Sequence, residues 1–430
     1  MRVLMHNIVI VGGGAGGLEL VTKLSKLVGQ KDNINITLVD ARLTHVWKPL
    51  LHEVVSGSLN LIENEVNYLI HSHQNNYNYI YGSLINIDKN DQSIDIEIHS
   101  LSHPEQKCVR NVKYDTLVLA LGSISNDFNV SGVIDHCYFL DSPEQAKTIH
   151  DKIFMSYLDI KQEVIPVDPE YHVAIIGGGA TGVELVSELI ELKNQMAKTL
   201  FKELNQIKMT FTVIDASDRL LMALSPNISK EIEKSLKTMG VNVLKNAQVV
   251  SIDADKIYFA DGSELAANLK IWAAGIKAPQ VLESLKDFEK DKIHRLKVYA
   301  TLQTYSDPNI FAFGDCANCQ LDATQPPLGA RAQVASQQAD FLCTSLMNRI
   351  SNKSLPMFKF NEKGSIVSLG QKSAVGEIFN ELSIYGKLAR TTYDALYRVH
   401  QVNIHGAKHT LQLTKRDSIT KNLLKNLKLY

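Results

Sequence analysis

One pattern occurs twice in this chain of 430 residues and constrains its fold more than any other feature. Residues 7–19 read NIVIVGGGAGGLE, and residues 172–184 read HVAIIGGGATGVE. In each copy an apolar, largely β-branched run precedes closely spaced glycines and a helical pattern, which predicts a buried parallel strand, a tight turn and a helix. A second strand then ends in an acid, Asp40 after the first copy and Asp215 after the second. The repeat therefore predicts an α/β protein with two strand–helix–strand units.

The first glycine cluster has the spacing Gly12-x-Gly14-x-x-Gly17. Its first glycine permits the tight turn, its second lets a pyrophosphate approach the backbone, and its third lets the helix pack on the strand. The N-terminus of that helix offers unpaired N–H groups to the phosphates. Asp40 lies at the spacing where an acid commonly binds a ribose hydroxyl group. These features predict a dinucleotide site, and a plain glycine-rich turn is the alternative.

The second cluster, Gly177-x-Gly179-x-x-Gly182, has the same spacing. Asp215 favours NAD over NADP, because a 2′-phosphate would meet its negative charge. Arg219 lies nearby and weakens this inference without reversing it. Two such sites imply two cofactors, and the simplest assignment is FAD as a bound cofactor and NADH as the substrate.

A third signal is the pair Gly314-Asp315, which follows a predicted strand at residues 309–313. An acid at a strand end can accept hydrogen bonds from flavin hydroxyl groups, although an ordinary turn is the alternative. Because this strand comes after the second unit, we expect the first of two Rossmann-like domains to be split in sequence. The predicted domains are 1–130 with 297–352 for FAD, 131–296 for NADH, and 353–430 as a small C-terminal region with amphipathic helices.

Bulk composition bears on the possible partners. The formal net charge is -1, so no overall field favours nucleic acid. No apolar run approaches the roughly 18–20 residues of a membrane-spanning helix. We therefore expect no nucleic-acid partner and only peripheral membrane contact.

The cysteines test other chemistries. Five of them form an odd, sparse set that argues against a disulfide framework and favours an intracellular setting. Cys316-x-x-Cys319 has the spacing of a redox dithiol, but it follows Gly314-Asp315 and does not open a helix after a glycine motif. Further zinc ligands at suitable spacing are not evident, so we expect no metal site. Cys137 and Cys343 leave a sulfide-oxidising quinone reductase open as the second hypothesis.

Seven segments together resemble the type II (non-proton-pumping) NADH:quinone oxidoreductases over nearly the whole chain. They are residues 9–19, 44–53 (THVWKPLLHE), 114–122, 176–184, 272–279 (WAAGIKAP), 310–317 and 332–338 (AQVASQQ). The glycine motifs belong to the wider two-nucleotide flavoprotein superfamily. The segments 47–53, 272–279 and 332–338 are more specific to this family.

The resemblance implies which residues hold the two nucleotides. For FAD it points to Gly12, Gly14, Gly16, Gly17, Asp40, Gly314 and Asp315, with Lys48 near the isoalloxazine ring. For NADH it points to Gly177, Gly179, Gly182 and Asp215, with Gly275 close to the nicotinamide end.

The resemblance also implies an acceptor site. Glu184 matches an acid near the flavin and nicotinamide with a role in quinone binding or proton delivery, whereas simple helix stabilisation is the alternative. Gln333 and Gln337 match paired glutamines at the quinone pocket, but could instead cap backbone groups from their shared helix face. Many members have histidine where this chain has Ser336, which puts proton supply by an imidazole there in doubt.

The C-terminal residues 382–430 are basic, with nine Lys or Arg against two Asp. Ile419, Leu423, Leu424 and Leu427 fall at helical spacing with lysines elsewhere on the wheel, which predicts a basic amphipathic helix on a membrane surface. The alternative is a helix docked on the protein's own core. An earlier stretch that includes Leu388, Leu396 and Val399 could pack likewise or form a homodimer contact.

The sequence thus predicts a flavoprotein that passes a hydride from NADH to FAD and two electrons to a membrane quinone. We expect a peripheral membrane protein on the cytoplasmic face of a bacterial inner membrane. A sulfide:quinone reductase, a redox-protein reductase of the same fold and an NADH-sensing flavoprotein effector are the alternatives.

Overall fold

The computed structural model describes residues 5–29, 33–103, 105–162, 170–199, 208–378 and 382–423. Two mainly parallel sheets organise these residues, and each sheet contains one copy of the glycine repeat. The predicted α/β class with two Rossmann-like units is confirmed. The domain boundaries given above stay a prediction.

The first sheet has eight strands around the first repeat. Strand His6–Val11 lies between Ile34–Asp40 and Thr116–Leu119, parallel to both. The late strand Asp307–Ala312 pairs in parallel with Thr116–Leu119, so the chain returns to its first unit after completing the second. The strand order is Ala317–Cys319, Leu296–Val298, Gln303–Thr304, Asp307–Ala312, Thr116–Leu119, His6–Val11, Ile34–Asp40, Asn78–Tyr81.

The second sheet has five parallel strands around the second repeat. Its order is Tyr138–Phe139, Leu269–Trp272, Glu170–Ile176, Lys208–Ile214, Val241–Leu244. The aliphatic side chains of the central strands are fully buried. Each such side chain contributes about 1.5–3 kcal/mol to folding relative to an exposed one. Burial on both faces explains why these runs lack the alternation of a half-exposed strand.

Smaller elements complete the fold. Antiparallel strands lie at Ser83–Asp88, Ser93–His99 and Lys107–Lys113, at Val249–Ile252, Lys256–Phe259 and Glu264–Ala266, and at Gly364–Ser368, Ala374–Ile378 and Leu382–Tyr385; strand pairs are Thr44–His45 with Val66–Asn67 and Ile124–Ser125 with Ile276–Lys277. Helices span Ala15–Val28, Leu51–Val55, Leu61–Asn64, Tyr68–Asn75, Val133–His136, Pro143–Lys161, Ala180–Thr199, Pro226–Thr238, Gln280–Ser284, Ala332–Ile350, Gly386–His405 and Ala407–Leu423, with 3₁₀ turns at Lys48–Leu50 and Gly314–Cys316.

The C-terminal helix Gly386–His405 packs on strand Ala374–Ile378 and on helix Ala15–Val28 of the first unit. The next helix reaches Leu423, while Leu424 and Leu427 of the predicted amphipathic stretch lie outside the described residues, as do the side chains of Ile419 and Leu423. Within the described ranges, none of the helices has the length and apolar character needed to cross a membrane.

Candidate active site

Two positions of the first glycine loop, Gly12 and Gly17, leave no room for a side chain. Gly12 has a φ of +102°, and a Cβ there would lie 2.3 Å from the carbonyl oxygen of Ala120. A Cβ on Gly17 would lie 1.8 Å from the carbonyl oxygen of Gly12. Gly14 differs, because no protein atom lies within 4 Å of the position its Cβ would take. The middle glycine therefore faces open space at the start of helix Ala15–Val28, where a phosphate could approach the backbone.

Gly16 has a packing role that the glycine spacing did not reveal. A Cβ on Gly16 would lie 2.5 Å from the ring of Phe313, the residue just before Gly314. The missing side chain lets the helix approach the end of strand Asp307–Ala312. Gly16 thereby brings Gly314 and Asp315 towards the first loop.

The second glycine loop repeats this construction. Gly177 has a φ of +120°, and its Cβ would lie 2.6 Å from the carbonyl carbon of Ala273. A Cβ on Gly182 would lie 1.9 Å from the carbonyl oxygen of Gly177, whereas Gly179 again has no protein atom within 4 Å. The chain thus contains two equivalent glycine loops, residues 12–17 and 177–182, each with an open middle glycine. These loops are called the first and the second cradle below.

The two predicted acids are bound to their loops in the same way. One oxygen of Asp40 accepts a hydrogen bond from the Gly13 N–H at 2.6 Å, and one oxygen of Asp215 accepts from the Gly178 N–H at 2.7 Å. Because each carboxylate oxygen has two lone pairs, both acids can still accept from a ribose hydroxyl group.

Arg219 is committed to its own loop. Its guanidinium donates to the carbonyl oxygens of Leu224 at 2.8 Å and Met222 at 3.0 Å. These bonds occupy the side chain that could otherwise neutralise a 2′-phosphate. These bonds support the preference for NADH over NADPH, which stays a prediction.

Lys48 and Asp315 meet at Ser123. The Lys48 ammonium donates to the Ser123 carbonyl oxygen at 2.9 Å and to Asp141 at 3.0 Å. The Ser123 hydroxyl donates to Asp315 at 2.9 Å, and the other Asp141 oxygen accepts from the Ser125 N–H. Four separate segments are therefore joined in one polar cluster. Asp141 and Ser123 were not identified from the sequence, because neither belongs to a motif of its own.

Glu184 lies in a buried cluster and is 7% exposed. Its carboxyl accepts from the Ser368 N–H at 3.0 Å and hydrogen-bonds the Tyr393 side chain. Burial raises the pKa of Glu184 to about 8 in spite of these bonds, so the group holds its proton at neutral pH. His52 Nδ1 lies 3.6 Å away, but burial lowers the pKa of His52 to about 4, so this contact is not an ion pair.

Two further carboxyls belong to the same cluster. Arg390 pairs with Glu53 at 2.7 Å. Glu188, one helical turn beyond Glu184, accepts from the Ser56 hydroxyl at 2.6 Å and the Gln371 amide at 2.8 Å. Burial raises the pKa of Glu188 to about 7. Arg390 also pairs with Asp394 at 2.9 Å, so its single charge cannot balance all three buried carboxyls, which is consistent with proton retention by Glu184 and Glu188.

From this cluster we predict that the free energy of unfolding falls as pH rises. Folded-state pKa values near 8 for Glu184 and 7 for Glu188 exceed the ordinary value of 4.5, so between these limits the folded chain binds more protons than the unfolded chain. The loss should begin near pH 4.5 and be complete above about pH 8. Differences of about 3.5 and 2.5 pH units place the upper limit of this loss at roughly 8 kcal/mol, because each tenfold difference in proton affinity between the two states is worth about 1.4 kcal/mol.

Melting temperature against pH tests this expectation. Glu188→Gln should lose less stability than the wild type between pH 5 and 8, while Glu191→Gln, on the same helix but partly exposed, should lower the pKa of Glu188 only slightly and keep most of the wild-type decline. Parallel curves for all three proteins would contradict proton retention by Glu188.

The predicted quinone-site glutamines bind backbone groups. The Gln333 side chain donates to the Gly364 carbonyl oxygen at 3.1 Å and accepts from the Lys363 N–H at 3.1 Å. Gln337 donates to the Asn361 carbonyl oxygen at 2.8 Å and accepts from its N–H at 3.0 Å. Both amides thus hold residues 361–364 on helix Ala332–Ile350, and their contact with a quinone stays a prediction.

Glu19 forms a buried network that was missed from the sequence. Its carboxylate, 1% exposed, lies 2.7 Å from His400 Nδ1 and accepts from the Ser336 hydroxyl at 2.7 Å. His400 Nε2 lies 3.1 Å from His45 Nε2. Burial alone would raise the pKa of Glu19, but the hydrogen bond and charge of His400 hold that pKa below its ordinary value. Ser336 itself cannot act as a base, but His400 brings an imidazole to the same carboxylate from the C-terminal helix.

The cysteines are free. Burial raises the pKa of Cys316 and Cys319 to about 11, and that of Cys137 and Cys343 to about 12. Thiols with such pKa values are weak nucleophiles at neutral pH. In the described part of the chain, no cluster of three His, Cys, Asp or Glu side chains could hold a metal ion.

Known proteins resemble this chain over most of its length. A family model of pyridine nucleotide-disulphide oxidoreductases matches residues 6–339. The type II NADH:quinone oxidoreductase of Haemophilus influenzae is 35% identical over 99% of this chain and 100% of that protein. The protein of the same name from Staphylococcus aureus strain MSSA476 is 26% identical over 89% and 92% of the two chains.

Solved structures share the fold. NDH2 from Plasmodium falciparum in complex with NADH aligns with a TM-score of 0.84 at 21% identity and covers 99% of this chain and 100% of that chain. The sulfide:quinone oxidoreductase of Aquifex aeolicus aligns with a TM-score of 0.72 at 18% identity, over 99% and 96% of the two chains.

Proposed function

The chain belongs to the type II NADH:quinone oxidoreductases, within the pyridine nucleotide-disulphide oxidoreductase family, and we propose that it passes a hydride from NADH to FAD and two electrons to a quinone. One observation carries the proposal: a single chain holds two equivalent cradles, each with an open middle glycine and an acid bonded to its loop.

FAD fits the first cradle. Gly14 leaves space for a pyrophosphate, the start of helix Ala15–Val28 offers backbone N–H groups, and Asp40 keeps lone pairs for a ribose hydroxyl group. Lys48 and Asp315 would hold the flavin end through the cluster at Ser123. When bound, FAD supplies the hydride and electron transfer chemistry, and the protein orients the reactants and excludes competing reactions.

NADH would occupy the second cradle. Gly179 leaves the space for its pyrophosphate, and Asp215 would accept from the adenosine ribose. The same carboxylate repels a 2′-phosphate, and Arg219 is held away by its loop. Gly275 follows residues 273–274, which contact Gly177, so it lies beside this cradle on the way to the first unit.

Glu184 would give a proton to the quinone. Its buried carboxyl holds a proton at neutral pH and lies beside Ser368, in the strand that follows residues 361–364 held by Gln333 and Gln337. We therefore place the quinone near this strand and assign Glu184 as its acid. The glutamines would shape the pocket through residues 361–364.

A peripheral membrane position would give access to a bilayer quinone. The C-terminal helix Gly386–His405 exposes Leu388, Leu396 and Val399, each more than half exposed, and Leu411 follows on the next helix. Neighbouring lysines and arginines suit an anionic lipid surface. We place this face on the cytoplasmic side of a bacterial inner membrane. A homodimer through the same face is the competing possibility.

Flotation with anionic phospholipid vesicles tests the membrane contact. Replacement of Leu388, Leu396 and Val399 by Ser should release the holoprotein from vesicles, whereas Ile134→Ser, which removes an exposed apolar side chain elsewhere, should not. Unchanged flotation with a shift from dimer to monomer in lipid-free sedimentation would favour the homodimer contact.

Anaerobic stopped-flow absorbance of the holoprotein tests the reaction itself. NADH should bleach the flavin rapidly, NADPH should do so far more slowly, and a short-chain quinone should restore the oxidised spectrum. Bleaching without recovery by quinone would contradict the proposed acceptor.

A further inference from the structure

An exposed aromatic ring stands beside the second cradle. Residues 126–129, here called the strap, cross over Gly275, and Phe128 is 56% exposed. A Cβ on Gly275 would lie 2.3 Å from Cζ of this ring. Gly275 therefore makes room for Phe128. This contact explains why residue 275 is a glycine, which the sequence motif did not.

The strap has an unfavourable backbone. Phe128 has a φ of +51°, and Asn129 has a φ of +56°. Asparagine tolerates this left-handed region, but a bulky residue seldom adopts it. Such conformations persist where surrounding contacts enforce them, and they cluster at functional sites.

Surrounding contacts hold the strap in place. Asn126 donates from its N–H to the Gly275 carbonyl oxygen at 3.3 Å and accepts at its own carbonyl from the Trp272 indole at 2.8 Å. Lys277 pairs with Asp127 at 2.6 Å. The strap is thus fixed to the segment that begins at the end of strand Leu269–Trp272.

The same segment forms one side of the second cradle. The missing Cβ of Gly177 faces the backbone of Ala273 and Ala274, at 2.6 Å and 2.7 Å. Phe128 contacts the next residue, Gly275. One short segment, residues 273–275, therefore contacts the Gly177 loop at one end and the exposed, neutral ring of Phe128 at the other.

We propose that Phe128 is an NADH-binding residue, whose ring packs against the nicotinamide riboside. The inference rests on the proposed function and adds a wall to its NADH site. A planar ring can recover the burial that it lacks in the free protein by contact with a planar ligand. The contacts of Asn126 and Asp127 hold the strap, and with it the ring, beside Gly275.

Three variants separate a ligand contact from a structural role. Phe128→Gly removes both the ring and the backbone strain, whereas Phe128→Ala removes the ring alone. Asn129→Gly relieves the backbone strain of the neighbouring residue and leaves the Phe128 ring in place. Calorimetry with NAD⁺ measures affinity independently of turnover, and the melting temperature of the holoprotein measures stability. Quinone turnover at saturating NADH checks the proposed reaction in each protein.

Both Phe128 variants should bind NAD⁺ about tenfold more weakly and raise the KM for NADH equally. Phe128→Gly should melt no lower than the wild type, and Asn129→Gly should bind NAD⁺ normally. Unchanged affinity in both Phe128 variants, or a lower melting temperature of Phe128→Gly with normal affinity, would overturn the inference. Failure of the proposed function would differ, since the wild type itself would then not reduce quinone with NADH.

Discussion

Glu184→Gln is expected to slow quinone reduction by about a hundredfold while flavin reduction by NADH stays close to the wild-type rate. Glutamine keeps the size of the side chain and can still accept from the Ser368 N–H, but it cannot release a proton. The loss should therefore appear in kcat for quinone more than in either KM. Stopped-flow traces of the two half-reactions, recorded separately, give this comparison.

The pH profile sharpens the same test. Because burial raises the pKa of Glu184 to about 8, wild-type quinone reduction should decline above that pH as the acid loses its proton. The rate of Glu184→Gln should lack this decline. Glu191→Gln removes a partly exposed carboxyl from the same helix and should keep the wild-type profile. If Glu184→Gln slowed both half-reactions equally, or slowed neither, Glu184 would not be the proton donor and its role would be to stabilise the helix.

The internal repeat explains how much of the fold was predictable. Each cradle is formed by a strand, a glycine loop and an acid that are close together in sequence. The spacing of these residues was therefore enough to predict both cradles. The strand predicted at residues 309–313 is also present, as Asp307–Ala312. The return of Asp307–Ala312 to the first sheet was predictable too, because a strand that ends in Gly-Asp follows the second unit in the sequence.

The side-chain networks were not predictable, because they depend on pairs far apart in sequence. Glu19 and Glu184 close equivalent copies of the repeat, and the same C-terminal helix reaches both, through His400 and Tyr393. Yet hydrogen bonds hold the pKa of Glu19 low, whereas burial raises that of Glu184. The partners that distant segments bring to each carboxyl differ, so two equal acids acquire opposite protonation states.

Alanine substitutions at Gly14 and at Gly179 should each impair the binding of a different nucleotide. No protein atom lies within 4 Å of a Cβ on Gly14 or Gly179, so either variant should fold as the wild type does. Gly14 also has a φ of -62°, which alanine adopts freely. The added methyl group would meet only the ligand, at the place where a pyrophosphate must approach the backbone.

Gly14→Ala should therefore be purified with less than a tenth of its flavin, while Gly179→Ala should retain flavin and raise the KM for NADH at least tenfold. One misplaced contact at a phosphate is expected to cost about 1.4 kcal/mol or more, which corresponds to this factor. Absorbance spectra after gel filtration, with NADH titrations of the flavin-loaded protein, measure both quantities. If Gly179→Ala lost flavin and Gly14→Ala kept it, the assignment of FAD to the first cradle would be reversed. If neither nucleotide were affected, the open space beside these glycines would not be where the phosphates bind.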